Sequence, residues 1–205
     1  PGHVKGWVNL GLARADSGDR EAAVCALERA VHVDPGCGEA HSNLGVLYAE
    51  AGLRAESIEE FRRAVALNPE SSEAHFNLGW ALLHEDDLEQ AEQTLEQSSR
   101  LDPANVESLY ALALLHQRAG NYARAVQELK QALEHRPDDA RFHYYLGVAY
   151  NSQEAVDQAI LALERAARLR PEDPRVHRLL GVAYDKKELP SRAREAYRRA
   201  AALSG

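Results

Sequence analysis

Four histidines, His41, His75, His143 and His177, stand at intervals that are multiples of 34 residues. Imidazoles on a fixed spacing invite two chemistries, metal ligation and proton transfer. Cys25 and Cys37 add two thiols, and Asp86–Asp87 a pair of adjacent carboxylates. None of these assembles into a motif. Each histidine falls in a different copy of a repeated unit, so successive ones cannot converge on one ion, and a structural role is expected for them. The cysteines have no metal or redox spacing and stand about a helix length apart, too far for an easy bridge. They read as reduced thiols, which fits a cytoplasmic location. The aspartates fall in a polar turn, where carboxylates cap helices. No glycine-rich phosphate loop, zinc spacing or nucleophile motif is present. Catalysis, cofactors and metals are therefore not expected.

The elements that carry these residues repeat. Gly11, Gly45, Gly79, Ala113, Gly147 and Gly181 follow one another at 34-residue intervals, and so do Pro35, Pro69, Pro103, Pro137 and Pro171. A fixed period of this length is the mark of a solenoid of helical hairpins. In the copy Gly38–Ser71 the apolar and small residues Ala40, Leu44, Leu47, Tyr48 and Ala51 keep helical spacing. Gly52 ends that helix. Ile58, Phe61, Ala64, Val65 and Leu67 line one face of a second helix, which Pro69 stops. Helices of about 13 residues are marginal alone, so each hairpin must bury a face on its neighbour. The small residues Gly45 and Ser57 mark where the two helices cross.

This pattern resembles the tetratricopeptide repeat. The family's leucine at the seventh position is met by Leu10, Leu44, Leu78, Leu112, Leu146 and Leu180. Its alanine at the twentieth is met by Ala23, Ala91, Ala125, Ala159 and Ala193, with Ser57 in the second copy. The departures are mild: the four histidines at the fourth position, and Arg14, Leu82 and His116 where tyrosine is usual. The expected fold is all-α, a solenoid of six helix-turn-helix hairpins in one domain, residues 1–205, with copies 4–37, 38–71, 72–105, 106–139, 140–173 and 174–205. The resemblance implies a right-handed superhelix. Its fourth position packs between hairpins, which gives the histidines their structural role.

The resemblance also implies a concave groove lined by the first helix of each hairpin. On that basis the middle copies present Phe76, Trp80, Leu83, Tyr110, Leu114, Tyr144 and Val148 on one surface. Two readings fit this strip: rings tucked between helices, or an exposed groove for an amphipathic helix or extended peptide. The second is preferred, since tryptophan and tyrosine are frequent binding hot spots. Beside the strip, Glu39, Glu73 and Glu107 give way to Arg141, Arg175 and Arg178. A ligand along the groove would then carry a basic section followed by an acidic one. Asn9, Asn43 and Asn77 occupy one register in the first three copies and resemble the asparagine ladder of the O-linked N-acetylglucosamine transferase repeats. Two readings fit these amides: a clamp that holds a peptide backbone without reading its side chains, or a generic interior or capping role. The carboxylate clamp of chaperone-binding relatives is missing, because Val8, Leu12, Ser42 and Val46 stand where its lysine and asparagine belong.

Charge narrows the partner. The chain carries a net −8. Its third copy holds eight acids against Arg100 alone, and its sixth holds eight basic residues against three acids. Nucleic acid wants a basic groove and is not expected. No apolar run is long enough to span a membrane. The four lysines and twenty arginines suggest a GC-rich, bacterial source, and the absence of methionine suggests an excerpt of a longer chain. The expected function is a non-catalytic adaptor that binds another protein or peptide. The alternatives are a substrate-recruiting domain of a larger enzyme such as a glycosyltransferase, or end-to-end self-association.

Overall fold

The computed structural model describes Gly2 to Ser204, with side chains from Val4 onward. Pro1 and Gly205, the ends of the expected domain, lie outside the described residues. Those residues form twelve α-helices and no strand: an all-α solenoid of helical hairpins. Contacts group the chain into two compact units, Pro1–Ser108 and Leu109–Gly205, where the sequence is read as one domain.

The first unit holds α1 (Gly2–Asp16), α2 (Arg20–Val33), α3 (Gly38–Glu50), α4 (Arg54–Leu67), α5 (Ser72–His84) and α6 (Leu88–Leu101). The helix α7 (Val106–Arg118) begins in the first unit and continues in the second. The second unit also holds α8 (Tyr122–His135), α9 (Ala140–Ser152), α10 (Val156–Leu169), α11 (Pro174–Lys186) and α12 (Pro190–Ser204).

Each hairpin closes on a small residue. A Cβ added to Gly45 would lie 2.6 Å from Cδ1 of Phe61, and one added to Gly181 would lie 2.4 Å from Cε1 of Tyr197. Helix α3 therefore approaches α4, and α11 approaches α12, to the thickness of a ring. Ser57 is more than a small residue at such a crossing. Its buried hydroxyl donates to the Gly45 carbonyl at 2.8 Å.

The turns follow one backbone rule. Gly18, Gly52, Asp86, Gly120, Glu154 and Glu188 all have positive φ, between 59° and 81°. This left-handed turn reverses the chain between paired helices. Three of the six positions lack glycine, and there the side chain costs backbone energy. Asp86 and Asp87 thus divide their labour. Asp86 makes the turn, while the Asp87 carboxylate accepts from Gln90 N at 3.2 Å and caps α6.

Between hairpins, proline acts on the residue before it. Asp34, Asn68, Asp102, Arg136 and Arg170 end their helices at φ between −130° and −141°, as a following proline requires. The four periodic histidines answer this kink. Nε2 of His41, His75, His143 and His177 donates to the carbonyl of Pro35, Pro69, Pro137 and Pro171 at 3.1, 2.9, 2.8 and 2.8 Å. Each bond ties the start of one hairpin to the end of the hairpin before it. Their chemistry is thus spent inside the fold.

Candidate functional site

In the first unit the candidate surface is a cleft between α3 and α5, floored by α4. At its C-terminal end Val46, Ala49, Phe61, Trp80 and Ala81 enclose about 370 Å³. Phe61 is buried, and the Trp80 ring is half-buried. Trp80 is held from both sides along α5. Phe76 lies 6.1 Å away between ring centres and His84 lies 4.6 Å away, and His84 Nδ1 donates to the Trp80 carbonyl at 2.8 Å. At the mouth Arg54 is paired with Glu85 at 3.2 Å.

The N-terminal end of the same cleft is polar. Glu39, Ser42, Asn43, Asn68, Ser71 and Glu73 line a hollow of about 560 Å³. Neither Glu39 nor Glu73 makes an ion pair among the described residues, and no lysine or arginine lines this hollow. Asn77 bridges the helices between the two ends, its amide donating to Ser42 Oγ at 3.3 Å. The Asn43 amide is half-buried and makes no side-chain hydrogen bond among the described residues.

Leu83 corrects the sequence reading. It is fully buried, so it belongs to the packing and offers no surface to a partner. Its register turns it into the core. Glu107, on the α7 segment of this unit, is half-buried.

In the second unit the strip becomes a cluster of rings. Tyr110 on α7 meets Phe142 and Tyr145 on α9 at 5.7 and 5.3 Å between ring centres. Tyr144 stands edge-on to Tyr145 at 5.0 Å. Leu114 and Val148 continue this surface, half-buried. Tyr145, in the register that asparagine fills in the first three copies, is a contributor the sequence analysis did not include. The neighbouring tyrosine pair Tyr144–Tyr145 was the signal that pointed to it.

The basic residues beside this cluster are engaged within the chain. Arg141 forks onto Asp139 with contacts of 3.2 and 2.8 Å, and Arg175 onto Asp173 with contacts of 3.0 and 2.7 Å. The same aspartates cap α9 and α11 by accepting from the arginines' backbone N–H at 2.9 and 3.0 Å. Each guanidinium also covers a ring of the preceding hairpin: Arg141 lies over Tyr110 and Arg175 over Tyr144. Hydrogen bonds from Arg175 hold the Asp173 carboxyl below its usual range. At Asp139 burial pushes the other way, but the bonds from Arg141 prevail and the shift is again downward. Burial raises the Tyr144 phenol although Arg175 opposes it. The expected acid-binding rim is therefore partly neutralised, and Arg178, exposed on α11, makes no ion pair among the described residues.

No group of three or more histidine, cysteine or acidic side chains among the described residues is arranged to hold a metal. Cys25 is exposed and Cys37 half-buried, and both are free thiols. No helix among the described residues is long and apolar enough to cross a membrane.

Solved structures share this architecture. A MamA fragment from Desulfovibrio magneticus RS-1 is similar at 23% identity and a TM-score of 0.77, covering 82% of this chain and 94% of its own. PilF of Pseudomonas aeruginosa is similar at 20% identity and a TM-score of 0.83, covering 95% and 88%. YrrB, described as a TPR protein with an unusual peptide-binding site, is similar at 19% identity and a TM-score of 0.72, covering 83% and 88%. Comparison with curated protein sequences finds no match. The model of the cilia and flagella-associated protein 70 C-terminal domain matches residues 2–205. The chain is a tetratricopeptide-repeat protein and belongs to that family.

Proposed function

We propose that this chain is a non-catalytic interaction scaffold that takes a partner polypeptide on the exposed aromatic faces of its first helices. The observation that carries this is the state of the rings. Phe76 and Trp80 in one unit, and Tyr110, Tyr144 and Tyr145 in the other, are half-buried rather than sealed in the core. Side chains of this kind hold a partner at little entropic cost because they are already fixed. The half-buried, unengaged Asn43 supports the same reading, since it offers both a donor and an acceptor to a backbone. YrrB, which shares the fold, is described as having a peptide-binding site. The free thiols fit work in a reducing compartment such as the cytoplasm.

Selection of a random peptide display library on the whole chain tests this. Selected peptides are then titrated calorimetrically onto Trp80→Ala, Tyr110→Ala and Tyr144→Ala variants whose helicity is unchanged by circular dichroism. At least one variant is expected to lose about 2 kcal/mol of binding free energy. Unchanged binding in all three would remove the aromatic faces as the site.

A further inference from the structure

The two ends of the α3–α5 cleft differ in chemistry, and that difference defines a ligand. One end is apolar and walled by Trp80, Val46 and Phe61. The other holds two unpaired carboxylates, Glu39 and Glu73, with no cation in its lining. Two like charges facing one hollow repel, and a ligand cation between them relieves the repulsion. Arg54 at the apolar end is already committed to Glu85, so that end does not attract an acid.

Spacing converts this into a sequence pattern. Lining residues of the two ends stand seven apart: Glu39 and Ser42 against Val46 and Ala49 on α3, and Glu73 and Ala74 against Trp80 and Ala81 on α5. Seven helical residues rise about 10 Å. An extended chain covers that distance in about three residues. The amides favour an extended ligand over a helical one. Asn43 lines the polar end and Asn77 the apolar one, and only an extended backbone has unpaired N–H and C=O groups to meet their amides.

We propose that the α3–α5 cleft binds an extended polypeptide segment carrying a lysine or arginine about three residues from a bulky apolar residue. The cation sits between Glu39 and Glu73, and the apolar side chain packs against Trp80. This inference rests on the scaffold reading and gives it a ligand class for the first unit.

The test uses short fluorescein-labelled peptides of glycine–serine background, each with one lysine and one leucine at varied separation and in both orders. Binding to the whole chain is read by fluorescence anisotropy. The peptide with the two residues three apart, in one of the orders, is expected to bind about tenfold more tightly than its lysine-to-glutamate or leucine-to-alanine versions. A Glu39→Gln/Glu73→Gln variant loses the preference for lysine and keeps that for leucine. A Trp80→Ala variant does the reverse. The lysine preference fades as salt rises, because the carboxylates are open to solvent. Affinity that ignores spacing, or preferences unchanged in both variants, overturns the proposal. If these peptides fail while display-selected ones bind and are lost in Tyr144→Ala, the cleft assignment falls and the scaffold reading stands. If neither set binds, both fall.

Discussion

The guanidinium of Arg175 lies 5.5 Å from the centre of the Tyr144 ring. Arg141 and Tyr110 repeat the arrangement 34 residues earlier, at 5.3 Å. In both cases an aspartate two residues upstream fixes the fork from the other side. Three groups thereby lock one another: the carboxylate orients the arginine, the arginine covers the ring, and the ring is held half-exposed. Lysine cannot serve in this role, since it has neither the planar fork nor the stacking face. Arg175→Lys is expected to lower stability by about 0.5–1 kcal/mol in urea denaturation, the modest size reflecting the exposure of the pair.

Acid should dismantle this lock. The Asp173 and Asp139 carboxyls are held below their usual range in the folded chain. A depressed folded value means that the charged form adds stability above the unfolded value, about 3.9. That stability is lost as pH falls through the folded value. Asp173→Asn retains a capping side chain but removes the charge. It is expected to be less stable than the parent at pH 7, with the difference shrinking as pH falls below about 3.9, by urea denaturation across that range. A difference that persists in acid would mean the charge is not the cause.

His177 is buried and donates to the Pro171 carbonyl at 2.8 Å. Phenylalanine fills similar space without the donor. His177→Phe is expected to cost about 1–2 kcal/mol, because the carbonyl loses its partner. His177→Gln, which can still donate, should cost less if the bond matters more than the ring. Thermal denaturation of the two variants separates these contributions.

A methyl at Gly181 would meet the Tyr197 ring at 2.4 Å. Gly181→Ala is therefore expected to lose about 1–3 kcal/mol. The fourth hairpin already carries alanine and leucine at these two positions, Ala113 and Leu129, both fully buried. Adding Tyr197→Leu to Gly181→Ala should recover part of the loss, and a double-mutant cycle measures the coupling.

Glu154 and Glu188 hold φ of 59° where three of the turns use glycine. Glu154→Gly is expected to raise stability by about 0.5–1 kcal/mol, since the relief of strain exceeds the entropy added to the unfolded chain. A fall in thermal midpoint would show that the Lys186–Glu154 pair at 3.0 Å outweighs the backbone term.

The hairpins were legible because steric rules act locally. Gly45 against Phe61, and Pro69 after Asn68, leave their marks within one period of sequence. The bond from His75 to Pro69 was not legible as such. The sequence gives the histidine a packing role, but only folding turns its Nε2 toward that carbonyl. Arg141 and Arg175 read as open rim charges, whereas Asp139 and Asp173, two residues before them, consume part of that charge. Leu83 shared a register with groove residues and still turned inward. Register alone does not resolve a helix face to within one side chain.

The proline–histidine bonds carry a consequence for permitted chain length. Each depends on a donor placed six residues after its acceptor and on a small residue four further along. Loss of a single residue inside that interval would rotate every later side chain of the helix by about 100° and break one relation or the other. Removal of a complete 34-residue block, from one proline to the next, rejoins equivalent points and restores them. The length of this molecule is therefore quantised: it can change by whole hairpins and resists change by single residues.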